Sequence, residues 1–331
     1  MPAVDDFCLP FVAHVNPNAD KIHASHLEWL TTNGILPKEA AARYEAWKLT
    51  EYTAVTYPWA SADDLKTAAD LYGWLSLFDD YLDGSKQRSL AETRTKCAAI
   101  TAVIHGQAPT ADPAADPFVG SFADVWSRLS DGMSEYWLAR HRRNWQAYLN
   151  CYAWENTARA TAYTPPLEEY LEHRRWSSVM DATFDLIERF NRSELPRCAA
   201  EDPRFETLHL LAVRIVLVVN DVFSAEKEEE DGDPYALLKV LGHHENLTYN
   251  ESLTRAKQLL AQTVEKYLDV ERDYLSSWWH HGLPRQEMTT LEALTTGMRV
   301  WFRGNIDWHL RTSRYGHNPH IEAPVPAQAA H

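Results

Sequence analysis

Two groups of oxygen-bearing side chains sit at helical spacing and could hold a hard cation. The first is Asp79-Asp80-Tyr81-Leu82-Asp83, which follows the apolar run Leu71–Phe78 and stops before Gly84. On a helix Asp79 and Asp83 share one side, a turn apart, with Asp80 three residues before Asp83. Like charges this close at a helix C-terminus repel each other and oppose the helix dipole. A counter-cation relieves both, and oxygen-only ligation points to Mg²⁺ shared between carboxylates and a phosphate. Read alone, the same acids would equally make a solvated helix end. The second group is the stripe Asn220, Ser224 and Glu228, spaced every four residues. An amide oxygen, a hydroxyl and a carboxylate can chelate one hard cation while carrying a single formal charge. Lys227 adds a donor suited to a phosphate oxygen. The plainer alternative is a polar helix end running into Glu229-Glu230-Asp231, which read as solvated. It leaves unexplained why the stripe begins directly beneath Leu211–Val219, where an asparagine would face a core.

Helical patterning supplies the elements that position these groups. Asn18–Thr32, Lys38–Thr56, Ala62–Leu82, Ser89–His105, Phe118–Ala162, Leu167–Phe190, Phe205–Lys227, Glu251–His280 and Gln286–Ser313 read as helices or helix pairs. Gly34, Pro58, Gly84, Pro109–Pro117, Pro165-Pro166, Pro196, Gly232–Pro234 and Gly282 fall where those helices should stop. Val213–Val219 has the composition of a buried strand, yet the polar residues after it recur every four positions, so it is read as a buried helix. With only 12 glycines in 331 residues, tight turns are scarce and long helices are favoured. The fold class is all-α: one domain over residues 1–315, of about ten helices, with 316–331 as a disordered C-terminal tail.

The net charge of −15 argues against a nucleic-acid-binding surface and against a polybasic membrane patch. Leu208–Val219, interrupted by His209 and Arg214, is too short to span a bilayer, so no stable membrane insertion is expected. Cys8, Cys97, Cys151 and Cys198 form no CxxC pair and read as reduced, buried thiols. No secretory leader is recognisable in the acidic N-terminal segment. The expected setting is cytoplasmic.

DDxxD at Asp79–Asp83, followed some 140 residues later by Asn220-Asp221…Ser224…Lys227-Glu228, resembles the paired signature of microbial class I terpene synthases. The second motif is the more specific of the two. The likeness covers most of the chain. The Pro-Phe segment and Asn16-Pro17 resemble the family's N-terminal strap, and Arg174-Arg175 lies 46 residues before Asn220, where relatives carry a pyrophosphate-sensing arginine. Arg314-Tyr315 matches a C-terminal Arg-Tyr pair, and Trp308 matches a cavity tryptophan.

The resemblance implies an α-helical bundle around a deep apolar cavity with three Mg²⁺ ions at its mouth. Asp79 would bridge two of them, with Asp83 a further ligand or its partner and Asp80 orienting neighbours. Asn220, Ser224 and Glu228 would hold the third. Arg174, Lys227, Arg314 and Tyr315 would bind the diphosphate of a linear prenyl substrate, farnesyl or geranylgeranyl diphosphate. Ionisation needs stabilisation of a departing trianion, and the carbocation needs a dry cavity. Aromatic faces stabilise that cation, and Trp308, Phe78, Trp74 and Phe184 are the candidates. Leu75 and Ser76 stand where relatives place aromatics, which widens the cavity wall. Ser177 and Ser178 would flank a helix break facing the substrate, while Arg175 reads equally as a surface ion-pair partner and Glu188 as a structural salt-bridge residue. Two other readings stay open. A head-to-head synthase of the squalene or phytoene type would use Asp79…Asp83 and Asp181…Asp185. An acidic helical interaction protein would place its acidic clusters apart on the surface. The resemblance also leaves a homodimer open.

Overall fold

The computed structural model describes residues 7, 9–83, 90–107, 116–161, 163–231 and 235–315. The expectations placed on Cys8, Gly84, Gly232–Pro234 and the tail 316–331 lie outside the described residues, as do the side chains of Asp83, Glu230 and Asp231. Among the described residues there are fourteen α-helices and no strand. They are α1 (Ala19–Thr32), α2 (Ala41–Glu45), α3 (Leu49–Thr56), α4 (Ala62–Asp83), α5 (Leu90–Ile104), α6 (Pro117–Ser130), α7 (Glu135–Thr161), α8 (Leu167–Ser177), α9 (Met180–Asn191), α10 (Arg197–Ala200), α11 (Pro203–Asp231), α12 (Leu237–Glu245), α13 (Tyr249–His280) and α14 (Arg285–His309).

Sequence chemistry sets several of the ends. Asp116 caps α6, accepting from the Phe118 and Val119 amides, with Pro117 at the first helical position. Thr248 and Glu251 form a reciprocal capping box at the start of α13. Val213–Val219 is helical, as read. Every residue of that run except Arg214 is buried, because α8, α12, α13 and α14 all pack against α11. Burial from several sides overrides the β-branched propensity.

Two expectations need correcting here. The helix carrying Leu208–Val219 is long and apolar enough to cross a membrane, contrary to the sequence reading. Most of its apolar window is buried against neighbouring helices, as in the core helix of a globular bundle. Cys97 and Cys151 are buried, but Cys198 is exposed, because the short α10 buries only Ala199.

The buried apolar residues form a continuous cluster running from Phe7 to Trp308. Within it α3 packs on α4 and α14, and α9 lies between α7, α8 and α14. The N-terminal segment lies across the bundle as a strap. Phe7 stacks on Phe223 at 5.4 Å, Phe11 meets Phe302 at 5.4 Å, and Asn16 donates to the Tyr57 and Ala60 carbonyls beyond the end of α3. After α14 the chain returns to the α2–α3 junction, where the Thr312 hydroxyl bonds the Trp47 carbonyl and the Ser313 amide bonds the Ala46 carbonyl.

Close approach of α3 to α14 requires Gly304. A Cβ there would stand 2.5 Å from the Val55 carbonyl oxygen and 2.8 Å from its carbon, backbone atoms that cannot turn aside. Gly304→Ala should destabilise the protein by about 1–3 kcal/mol, read from urea denaturation. Wild-type stability in that variant would contradict the tight α3–α14 contact.

Candidate active site

The last turn of α4 carries acids and no base, an unfavourable arrangement at a helix C-terminus. Compensation comes from the other end of the chain. Arg314 Nη2 lies 3.2 Å from Asp80 Oδ1, 3.5 Å from Asp79 Oδ2 and 3.4 Å from the Ser76 carbonyl oxygen. Its guanidinium sits 4.5 Å over the Trp47 ring. Although burial alone would lower the Arg314 pKa, Tyr315, Asp80 and Asp79 outweigh it and raise the pKa above the usual arginine value. Arg43 reaches the second oxygen of Asp80 at 3.7 Å, and the Tyr152 hydroxyl stands 3.5 Å from Asp79 Oδ1.

On α11 the polar stripe forms as the spacing required. The Ser224 hydroxyl donates to Glu228 Oε1 at 2.7 Å and to the Asn220 carbonyl at 3.0 Å. Asn220 Oδ1 accepts from Arg174 Nη2 at 2.8 Å, while Asn220 Nδ2 donates to the Tyr315 hydroxyl at 3.0 Å and faces His309 Nε2 at 3.2 Å. Burial pushes the His309 imidazole down to about 4, so the ring is neutral. Lys227 is exposed, as is Glu229.

Arg314 and Tyr315 are adjacent, yet the first touches Asp79 and Asp80 and the second touches Asn220. The two acidic groups therefore meet at one place. Asp79 and Asn220 line the same cavity of about 190 Å³, together with Arg174, Arg314 and Tyr315. The interaction-protein reading required them to lie apart and is not supported.

Leu75, Ser76, Ser177, Ser178 and Trp308 line this cavity. Trp308 is held by stacking on Tyr52, with centroids 4.1 Å apart, and by its Nε1 donating to the Trp47 carbonyl at 2.8 Å. The expected break follows Ser177: Val179 adopts the left-handed region at φ 59° between α8 and α9, and the Ser178 hydroxyl donates to the Arg175 carbonyl at 2.8 Å.

Trp74, Phe78 and Phe184 do not line this cavity, contrary to expectation. Trp74 and Phe78 stack on each other at 4.5 Å and meet Phe122 and Phe118 of α6, because α4 is buried on that side as well. Phe184 points to the opposite side of α9, between His209 and Trp301. Besides Trp308 and Tyr315, the aromatics that line the cavity are Tyr52, Tyr72 and Tyr148, which sequence reasoning missed. A second omission is Asp221. It is fully buried, accepting from the Tyr170 hydroxyl at 2.8 Å and from Arg174 Nε at 3.0 Å, and so aims the arginine at Asn220. Its position beside Asn220, rotated off the stripe, was the available signal.

The rival DxxxD pair has no free oxygens to offer. Asp181 is bonded by Arg175 and His209; Asp185 is bonded by Arg140, His141 and Asn144. Burial pushes Asp181 up, but His209 and Arg175 together hold it at about 2. Arg175 is thus an ion-pair residue, and Glu188 ties Arg140 to the Leu195 amide, a structural role as read. The head-to-head reading loses its second motif.

Among the described residues no three His, Cys, Asp or Glu side chains converge on a point. The oxygens that could hold a cation are of mixed kind: the Asp79 carboxylate on α4, and the Asn220 amide, Ser224 hydroxyl and Glu228 carboxylate on α11. That donor set fits a hard divalent ion.

Residues 70–266 match the family model described as terpene synthase family 2, C-terminal metal binding. Pentalenene synthase of Streptomyces avermitilis is 32% identical over 319 residues, spanning 95% of this chain and 94% of its own. The (−)-β-caryophyllene synthase of Saccharothrix espanaensis, described as cyclising (2E,6E)-farnesyl diphosphate, is 27% identical over 95% of this chain and 89% of its own. The linalool/nerolidol synthase of Streptomyces clavuligerus, solved in complex with 2-fluorogeranyl diphosphate, superposes with a TM-score of 0.81 at 29% identity, covering 93% of this chain and 99% of that one. Motif, fold and relatives agree, and the chain belongs to the terpene synthase family as a divalent-metal-binding lyase that acts on a prenyl diphosphate.

Proposed function

We propose that this enzyme is a Mg²⁺-dependent cyclase whose substrate is the fifteen-carbon farnesyl diphosphate, and that three ions gather at the cavity mouth. The observation that carries the reading is the convergence of Asp79 and Asn220 on one cavity, bridged by the adjacent Arg314 and Tyr315. The caryophyllene synthase relative, described as acting on farnesyl diphosphate, supports the chain length. Free cysteines are consistent with a cytoplasmic setting.

Asp79, with Asp83, would hold cations on α4, and Asn220, Ser224 and Glu228 would hold one on α11. Bound there, Mg²⁺ supplies Lewis-acid stabilisation of the departing diphosphate. Arg174, Lys227, Arg314 and Tyr315 donate hydrogen bonds to its oxygens. To do so, Arg314 must leave Asp79 and Asp80, and Arg174 must leave Asn220. The allylic carbon–oxygen bond breaks with its electron pair going to diphosphate. The cation then closes within the wall of Trp308, Tyr52 and Tyr72. An aromatic face stabilises positive charge by about 1–2 kcal/mol when desolvated and does not attack it. The Tyr52 hydroxyl is tethered to Asn305 Oδ1 at 2.9 Å, which keeps its ring in place.

Gas chromatography–mass spectrometry of products from C10, C15 and C20 diphosphates, with and without Mg²⁺, tests the assignment. A cyclic C15 product that requires the metal is expected, and a preference for the C20 substrate would overturn the chain length. Asp79→Ala and Asn220→Ala should each lower turnover by two orders of magnitude or more with helicity intact, in line with the loss of charge stabilisation at a reacting centre. Near-normal activity would rule out the metal assignment. Arg174→Lys should slow ionisation at least tenfold, since a point charge cannot hold Asp221 and the diphosphate oxygens at once as the guanidinium fork can. Unchanged single-turnover rates would remove Arg174 from the ionisation step.

A further inference from the structure

Asn220 is useful as a ligand only if its oxygen, and not its nitrogen, faces the cavity mouth. Nothing in the polar stripe itself fixes that choice, because the two ends of a primary amide have nearly the same shape. The surroundings fix it. Arg174 can only donate, so the atom it meets at 2.8 Å is Oδ1. The opposite end of the amide meets the Tyr315 hydroxyl at 3.0 Å and His309 Nε2 at 3.2 Å. A hydroxyl can donate or accept, so Tyr315 does not discriminate between the two orientations. His309 does. Its Nδ1 lies 2.7 Å from the Asn305 carbonyl oxygen, which can only accept, so Nδ1 carries the hydrogen and Nε2 presents a lone pair. The ring cannot easily turn to reverse this arrangement: it is fully buried and stacks on Phe223 at 4.9 Å and on Tyr315 at 5.3 Å.

We infer that His309 is a positioning residue: by accepting from Asn220 Nδ2 through an imidazole whose tautomer Asn305 sets, it holds the Asn220 oxygen toward the site where a cation binds. The inference rests on the assignment of Asn220 as a cation ligand. Reversing the amide would set nitrogen against the Arg174 guanidinium and oxygen against the His309 lone pair, two repulsive contacts in place of two favourable ones. The relay runs from the Asn305 carbonyl through the His309 ring to Asn220, linking α14 to the α11 stripe. Asn305 itself lines the cavity and bonds the Tyr52 hydroxyl. The wall that would surround the hydrocarbon and the oxygen that would hold the metal are therefore set by neighbouring turns of one helix.

Calorimetric titration of the full chain with Mg²⁺ in the presence of inorganic pyrophosphate reads this out without turnover. His309→Phe keeps a stacking ring and removes the acceptor. It should weaken Mg²⁺ binding about tenfold or more, as loss of a ligand-orienting partner does, with the ligand-free melting temperature nearly unchanged. His309→Gln restores an acceptor oxygen and should recover most of the loss. Binding in His309→Phe within about twofold of wild type would overturn the inference, as would equal losses in the Phe and Gln variants. Asn220→Ala in the same titration separates the two levels: undiminished binding there would overturn the ligand assignment itself, whereas a loss there with none in His309→Phe would overturn only the histidine's role. If His309→Phe does not fold, ¹⁵N NMR of histidine-labelled wild-type protein decides directly. An Nδ1–H tautomer at His309 is expected, and an Nε2–H tautomer would refute the relay.

Discussion

Negative charge gathered where a helix dipole already points negative must be met by positive charge, and much of this fold is arranged around that requirement. The C-terminal turn of α4 holds Asp79 and Asp80 without a basic residue of its own. Arg314 is brought to them by the chain's return past α14 and is anchored through Thr312 and Ser313 to the carbonyls of Trp47 and Ala46. Arg174 plays the matching part at α11, where Asp221 and Tyr170 lock its approach to Asn220. Two guanidinium groups thus stand at the two motif helices, Arg314 at Asp79 and Asp80 and Arg174 at Asn220.

Helix α9 divides two environments of opposite character. Val179, Met180 and Thr183 contribute to the cavity wall. Asp181, Asp185 and Glu188, on the other side of the same helix, are consumed by Arg175, His209, Arg140 and His141. Buried acids bonded this fully brace α9 against α7 and α11 and have little capacity left for a cation. Acid spacing alone cannot distinguish such a brace from a metal site. The distinction lies in which cations the neighbouring helices bring.

Local information was legible in the sequence and surround was not. Asn220, Ser224 and Glu228 lie within two turns of one helix, so their spacing fixed their common face. Arg314-Tyr315 and Trp308 were reached through a family resemblance, because no periodicity connects them to residues some 90 or 230 positions earlier. The aromatic lining was misread for a physical reason. Helix α4 is apolar on more than one side, so Trp74 and Phe78 carry the same pattern whether they face a cavity or the α6 contact. Tyr52 and Tyr72 enter the wall from α3 and α4, and their rings meet edge to face at 5.4 Å through packing that no sequence period reports. Asp221 was passed over because a buried acid inside a metal-motif string looks like a spare ligand until its partners are known.

Val179 occupies a left-handed backbone conformation at φ 59°, where a glycine would fit without cost. A β-branched residue there raises the energy of the native backbone by about 1–2 kcal/mol, held in place by the flanking helices and the Ser178 hydroxyl. Strain of this kind persists only where the surroundings over-determine it, so at this point of the cavity wall the backbone follows the packing of α8 and α9 and not the valine's own preference.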